Sequence, residues 1–389
     1  MLVAYAESTD GLHWTKPELG IRTFGGSKKN SLVNPMGMSC LPDPHETDPQ
    51  HKYKAASSHW QKMMALLAHS ADGLRWTAYN NGEPVTHRAA DTINQILWDP
   101  EANVYRLYTR TDYQSRLKAK IEVRGTRDMV NPDVKADPTA WKTVREWVLD
   151  REPEDYKRRQ IYSLNGWIHE TIHFGLVWTL DFPDAESEGP PDLNRRHERD
   201  VMNAYLVTTR GDRPWNLDWI YAAKPLIPRG PDGSFDKDWV QPAINVVTFD
   251  DKHWIYYAGN RERHGVVVPD GRRRGAIGLA TLPLDRFVCL EAKDQPGVVE
   301  TRPFKLEGNR LEVNVDAHEG DILVEVLDQA GKPVKGYTRT EAKTHGRVDE
   351  LRLPVTWNGS EKLDALVGSI VRLKFHLRHA KLYAFRIAP

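Results

Sequence analysis

One eight-residue string occurs twice and limits what the chain can become. Ser8-Thr-Asp10-Gly11-Leu-His-Trp14-Thr15 returns as Ser70-Ala-Asp72-Gly73-Leu-Arg-Trp76-Thr77, with six of eight positions identical. Each copy follows a short apolar run, Leu2 to Ala6 in the first and Met64 to Ala68 in the second. Asp-Gly is turn chemistry: glycine tolerates positive φ, and aspartate bonds the backbone just after it. Each copy therefore predicts a strand, a tight turn and the start of a second strand, with the tryptophan covering the sheet face. Looser echoes stand at Arg124-Gly-Thr-Arg-Asp128 and Thr208-Thr-Arg-Gly211-Asp212, the latter followed by Trp215. A strand–turn–tryptophan unit recurring at this spacing predicts an array of small antiparallel sheets.

The rest of the chain continues the pattern. Asp91 to Trp98 and Val104 to Tyr108 alternate with period 2 about the turn Asp99-Pro100-Glu101-Ala-Asn103, and Ile121 to Gly125 is expected as their third strand. Ile161–Ile168, Ile172–Trp178 and Met202–Thr208 form a further set, interrupted by a charged insertion from Phe182 to Arg199. Ala243–Phe249, Trp254–Ala258 and Ala276–Leu282 form another. The charged span Asp150 to Arg159 is the one link expected to be helical or irregular.

After Leu290 tryptophan becomes scarce and turns more frequent. Strands are expected at Leu311–Val315, Asp321–Leu327, Leu351–Val355, Val371–Leu377 and Lys381–Ile387, the profile of a β-sandwich. The expected fold is all-β: a five-bladed β-propeller over residues 1–292, followed by a β-sandwich over 293–389. The first blade is incomplete at its start. Either the chain is truncated there or strands from elsewhere complete the blade, so the lack of a leader peptide leaves localisation open.

Composition narrows the partners. Lys plus Arg balance Asp plus Glu at 54 each, which gives no electrostatic case for nucleic acid or an anionic membrane. No run of 18 apolar residues marks a membrane-spanning helix. Two cysteines, Cys40 and Cys289, exclude a disulfide-rich scaffold, and no Cys/His set has zinc spacing. Thirteen tryptophans and fourteen tyrosines serve mainly to pack blades, and the remainder suit stacking on sugar rings. An oligosaccharide or polysaccharide partner fits this balance. The oligomeric state is not readable.

Three stretches also carry a family resemblance. They are Tyr5-Ala-Glu7-Ser-Thr-Asp10-Gly-Leu-His-Trp14-Thr-Lys16-Pro17-Glu18-Leu19-Gly20, Gly320-Asp-Ile-Leu-Val-Glu325-Val-Leu-Asp328-Gln-Ala-Gly331-Lys-Pro333-Val, and the tail Leu382-Tyr383-Ala-Phe385-Arg386. With five short blades and a sandwich, the chain resembles the propeller glycosidases of families 32, 43 and 68. It resembles more closely the planctomycete-type bacterial proteins called glycosyl hydrolase family 32-like. The resemblance implies a glycoside hydrolase acting on plant or algal oligo- or polysaccharides by a two-carboxylate mechanism. The family's Trp-Met-Asn-Asp-Pro, Arg-Asp-Pro and Glu-Cys strings are absent, so it assigns no nucleophile. A non-catalytic carbohydrate-binding propeller and another carbohydrate-active enzyme, such as a lyase, remain as alternatives.

In a propeller the starts of the innermost strands and the loops joining second to third strands share one mouth. Asp91 opens an innermost strand and Asp200 opens a third strand, so these two are the expected catalytic carboxylates, one a proton donor and the other a nucleophile or base. Candidate substrate-binding residues at the same mouth are Asn34, Trp60, Asn94, Arg110, Tyr113, Asn165, Gln241, Arg261, Arg263 and His264, with His59 and Asp112 nearby. Amide and guanidinium groups suit bidentate bonds to vicinal hydroxyls or to the carboxylate or sulfate of an acidic sugar. Asp43, Glu46, Asp48, Glu101, Glu170, Asp250 and Asp251 fall in the opposite turns and are expected to be solvated. The Arg272-Arg273-Arg274 run reads as a solvated face. His169 and His173 share a strand face while Glu170 points away, so no metal is assigned there. No cofactor is required by this reading, which leaves room for a structural calcium in the channel.

Overall fold

The computed structural model describes residues 2–33, 39–59, 61–86, 92–119, 122–183, 198–266, 268 and 274–389. They form two compact units, one of Met1–Val246 with Ile255–Leu279, the other of Val247–Trp254 with Ala280–Pro389. The fold is all-β. Among the described residues the longest α-helix is a single turn, α1 (Asp218–Tyr221), and no helix is long and apolar enough to cross a membrane.

In the first unit, β1 (Val3–Ala4) pairs with β2 (Leu32–Val33). A four-stranded antiparallel meander follows: β3 (Ser39–Pro42), β4 (Tyr53–His59), β5 (Met64–Ser70) and β6 (Thr77–Ala78). The next repeats it: β7 (Gln95–Asp99), β8 (Val104–Asp112), β9 (Arg124–Asn131) and β10 (Lys142–Trp147). Then come β11 (Arg159–His169), β12 (Ile172–Asp181) and β13 (Val201–Thr209), bordered by β14 (Trp239–Pro242). The chain continues through β15 (Val247–Phe249), β16 (Lys252–Asn260) and β17 (Ala276–Pro283).

Side chains on the innermost strands close these sheets into a ring. Gln95 donates through Nε2 to the carbonyls of Gly166 (2.9 Å) and Ile244 (3.0 Å), and its Oε1 accepts from the Gly166 amide. Asn165 donates to Pro242 and Ala243, both at 3.3 Å, and Asn245 donates to Cys40 at 3.4 Å. Ser163 donates to Ile93, and Asn94 to Ser57. First strands therefore meet first strands around an axis, which is a propeller. At such an axis the backbone groups of neighbouring sheets cannot ladder, and buried amide side chains satisfy them instead.

Both copies of the repeat build the same turn. Asp10 Oδ1 accepts from the amides of Leu12 and His13, each at 2.8 Å, and Asp72 Oδ1 accepts from Leu74 and Arg75 at the same distance. Gly11 and Gly73 have φ of +75° and +73°, a region that favours glycine. Trp76 is buried with Ala55 and Ala68, as expected of a residue covering the sheet. Trp14 is half exposed and meets the edge of Tyr256.

Several strand assignments shift. The third strand of the β7–β10 sheet is Arg124–Asn131 rather than Ile121–Gly125, so the Arg124 echo is strand and not turn. Its alternate polar residues Arg124, Thr126 and Asp128 are buried against partners, which hides the strand from a hydrophobicity pattern. Gly125 belongs there because any side chain would strike the Tyr113 ring. The Gly211 echo is a true turn, with φ of +53°. Asp43 and Glu46 are not solvated turn residues: the buried Lys54 ammonium pairs with them at 2.9 and 3.0 Å. Arg273 and Arg272 lie outside the described residues.

The second unit contains β18 (Leu290–Ala292), β19 (Gly297–Glu300), β20 (Phe304–Lys305), β21 (Arg310–Asp328), β22 (His345–Pro354), β23 (Ile370–Arg378) and β24 (Ala380–Ala388). The two strands expected at Leu311 and Asp321 are one continuous strand, β21. Its first half pairs with β24 and its second half with β23, while β22 follows it along the other edge with a register break between Ala317 and Asp321. Gly320 sits at that break, where a Cβ would overlap the Arg378 carbonyl. The two halves of β21 thus serve different partner strands, and the unit's core buries Val313, Val324, Leu373, Phe375 and Trp357.

Candidate active site

Asp200 immediately precedes β13, and its side chain is fully buried. Oδ1 accepts from the His264 amide at 3.3 Å, and Oδ2 lies 3.5 Å from His264 Nδ1. His264 follows β16 in the chain, so the contact joins segments 64 residues apart. The imidazole sits between two aromatic edges. Tyr162 on β11 lies 5.8 Å away, and Trp239 on β14 lies 5.4 Å away, each nearly perpendicular to the imidazole. Trp178 stacks beneath Tyr162 at 6.0 Å. The Arg263 guanidinium, beside His264, donates to the Arg199 carbonyl at 3.0 Å.

Two further guanidiniums approach Tyr162. Arg110, at the end of β8, lies 5.8 Å from the ring centroid, and Arg124, at the start of β9, lies 5.7 Å from it. Antiparallel pairing puts Arg124 opposite Asp112, so the hairpin brings both arginines to one end of the sheet. Glu122 pairs with Arg124 Nε at 3.0 Å and lies 3.9 Å from Arg110. Its side chain is 29% exposed, unlike that of Asp200. The arrangement therefore links a buried carboxylate and an accessible one through an aromatic, histidine and arginine cluster.

The other expected residues lie elsewhere or play other parts. Asn94 and Asn165 are buried and bonded within the inner ring: Asn94 donates to Ser58 Oγ at 3.0 Å, and Asn165 reaches the next strand. Gln241 accepts from Trp239 Nε1 at 3.0 Å, which fixes the indole edge beside His264. Tyr113 is buried against Gly125, and burial pushes its phenol well above the ordinary value, keeping it neutral. Arg261 is exposed. Asp91, Asn34 and Trp60 lie outside the described residues. Thr92, next in the chain after Asp91, donates to the Tyr162 carbonyl at 3.3 Å.

Sequence reasoning missed Tyr162, Trp239, Arg124 and Glu122. Tyr162 reads as an ordinary strand aromatic, Trp239 lies outside every expected strand, and Glu122 falls in the expected Ile121–Gly125 strand, whereas the strand begins two residues after it. The usable signal was Glu122 between the Arg110–Asp112 strand end and the Arg124 strand start, a hairpin end that crowds charge.

No protein-family model matches the chain, and no curated protein matches it. Solved structures resemble it distantly. A protein described as a glycoside hydrolase is 10% identical, over 71% of this chain and 76% of that one, with a TM-score of 0.44. A fructofuranosidase from Schwanniomyces occidentalis, complexed with fructosylnystose, is 10% identical over 98% and 87%, with a TM-score of 0.39. An alpha-L-arabinofuranosidase from Fusarium graminearum, complexed with an iminosugar inhibitor, is 10% identical over 63% and 65%, with a TM-score of 0.35.

Proposed function

We propose that this chain is a glycoside hydrolase acting on oligo- or polysaccharides of plant or algal origin, at the mouth formed by Asp200, His264, Tyr162, Trp239, Arg110, Arg124 and Glu122. The observation that carries the reading is the Asp200–His264 pair held between two aromatic rings. Sugar hydrolysis needs two carboxyl groups in different environments, because one delivers a proton while the other stays ionised. Asp200 is the first. Asp91 and Glu122 are the candidates for the second, with Glu122 the more exposed of the two described carboxylates. Tyr162 and Trp239 supply apolar faces for a pyranose, and Arg110 and Arg124 supply donors to its hydroxyls.

Asp200→Asn keeps the shape and removes the charge. Turnover on a panel of aryl glycosides and algal oligosaccharides should fall by about 10³ or more, with the unfolding temperature nearly unchanged. Asp91→Asn and Glu122→Gln, measured beside it, identify the second carboxyl by an equal fall in kcat. Full activity in Asp200→Asn overturns the assignment.

The complete burial of Asp200 favours a second reading, in which the mouth binds saccharide without cleaving it. That reading predicts oligosaccharide binding by titration with no turnover of any glycoside in the panel.

A further inference from the structure

On β13, Met202 packs with Leu180 and Phe182, a cluster that also takes in Tyr162 and Trp239. Asn203 and Tyr205, one and three residues after Met202, turn to the other face. They line a separate cleft of about 620 Å³, open to solvent, in which a polar cluster around Asp181 sits among apolar residues such as Phe182, Val201 and Pro225. Asp181 Oδ1 accepts from Arg159 Nε at 2.7 Å. Its Oδ2 accepts from Asn203 Nδ2 at 2.7 Å and from the Tyr205 hydroxyl at 2.9 Å. Asn203 Oδ1 in turn accepts from Arg229 Nε at 3.0 Å. Arg159 Nη1 bonds the Ile220 carbonyl, and Arg229 Nη1 bonds the Lys237 carbonyl.

Each guanidinium is thus gripped through Nε and Nη1. Neither Nη2 has a protein acceptor among the described residues. Arg159 is fixed further by lying 4.9 Å from the Tyr205 ring centroid. Arg158 adds a third, exposed guanidinium at the rim. The lining therefore carries two fixed guanidiniums, one exposed guanidinium and one carboxylate, and that carboxylate is enclosed by three donors; outside the lining, Asp238 lies 3.8 Å from Arg229 Nη1. Preorganised guanidinium forks bind planar or tetrahedral oxyanions without much loss of side-chain entropy. Pro183 and Pro228 give the cleft apolar walls. Its volume falls in the range of about 300–1,000 Å³ typical of organic-ligand sites, more than an inorganic ion needs.

We propose that this cleft is an accessory site for an acidic saccharide, with Arg159 and Arg229 taking its carboxylate or sulfate group. Binding of the anion stands on the cleft alone; its belonging to a saccharide rests on the hydrolase reading above. Titration calorimetry of the full chain separates the two, because it requires no turnover. The probes are a tri-uronate, a sulfated trisaccharide, a neutral trisaccharide of equal length, and inorganic sulfate. At least one acidic trisaccharide should bind, more weakly at high salt, and clearly better than the neutral one. The better acidic probe tells carboxylate from sulfate.

Arg229→Gln should weaken that binding by about tenfold or more. Arg229→Lys, which keeps charge but not the fork, should fall between. Unfolding temperatures recorded for both variants confirm that folding is intact. No acidic saccharide binding at millimolar concentration overturns the proposal. So does equal affinity in Arg229→Gln with folding intact, or binding no tighter than that of inorganic sulfate.

Discussion

The sandwich unit buries one continuous apolar core, running from Leu311 and Val324 through Trp357 to Phe375 and Leu382. The first unit buries several smaller cores and threads charges between them. Lys54 with Asp43 and Glu46, Arg106 with Asp99, and Arg145 with Asp128 are all enclosed there. In the sandwich the comparable buried charge is Glu325, which accepts from His376 at 2.8 Å. The contrast follows from how each unit closes. Two facing sheets can satisfy their backbones within each layer and need only apolar matter between them. Sheets around an axis present strand ends and edges to each other, and polar side chains must bridge them. A unit already built on oriented polar groups can place Asp200, His264 or Asp181 at small extra cost, whereas a dry core cannot.

The largest expected effect tests whether the first unit depends on those pairs. Arg106 is 1% exposed, with Nε 2.6 Å from Asp99. Arg106→Met leaves Asp99 buried without its partner and should cost about 3–5 kcal/mol, read from hydrogen exchange of the β8 amides. Arg106→Met combined with Asp99→Leu should recover most of the loss, because no charge is then stranded. A single-variant loss under about 1 kcal/mol would end the contrast between the units.

Next is the sandwich. Leu373→Ala, at a position with no exposure, should cost about 3 kcal/mol through lost burial and a cavity. Leu373→Met should cost about 1 kcal/mol or less, since an apolar core tolerates swaps of equal volume. Denaturation followed at the Trp357 indole, which donates to the Val324 carbonyl, reports this unit. Equal losses in the two variants would mean that shape, not burial, dominates this core.

The pH response should also differ between the units. His173 is fully buried, 3.5 Å from Asp99. Burial, then the nearby Arg106 charge, lowers its pKa from 6.5 to about 4, with Asp99 opposing. Between those values the unfolded chain binds the proton and the folded chain does not. Stability of the first unit therefore falls as pH drops from 6.5 toward 4, by on the order of 1 to 2 kcal/mol at pH 5. His173→Leu should flatten that slope in a thermal-unfolding series. An unchanged slope would assign the acid sensitivity elsewhere.

Strand and turn identity was legible because it is local. Asp72-Gly73 and the alternation of Val104 to Tyr108 act within a few residues, and the structure places a turn and a strand there. Strand β9 was misplaced because its buried face carries Arg124, Thr126 and Asp128, polar residues satisfied only by tertiary partners. The candidate mouth was half legible. His264, Arg110 and Asp200 stood out by type and position. Tyr162 and Trp239 did not, because their meeting at His264 joins β11, β14 and the segment after β16, far apart in the chain, and spacing carries no trace of it.

The smallest effect concerns the repeat itself, one sequence in two settings. Burial alone would raise the Asp72 carboxyl, yet the amides of Arg75 and Leu74, followed by the Arg75 side chain, hold it down at about 2. The turn therefore keeps its charged cap across ordinary pH in the second copy, and the first has the same amide bonds to Asp10. Gly73→Ala and Gly11→Ala each force a Cβ into positive φ, and each should cost about 1 kcal/mol. The Gly73 site has Tyr53 carbons 3.7 Å from the added Cβ, ordinary contact, so crowding adds little to the backbone term. Equal losses at the two sites, by thermal unfolding, are the expected result. A much larger loss at Gly73 would mean that the turn and the buried Trp76 after it act as one packed unit.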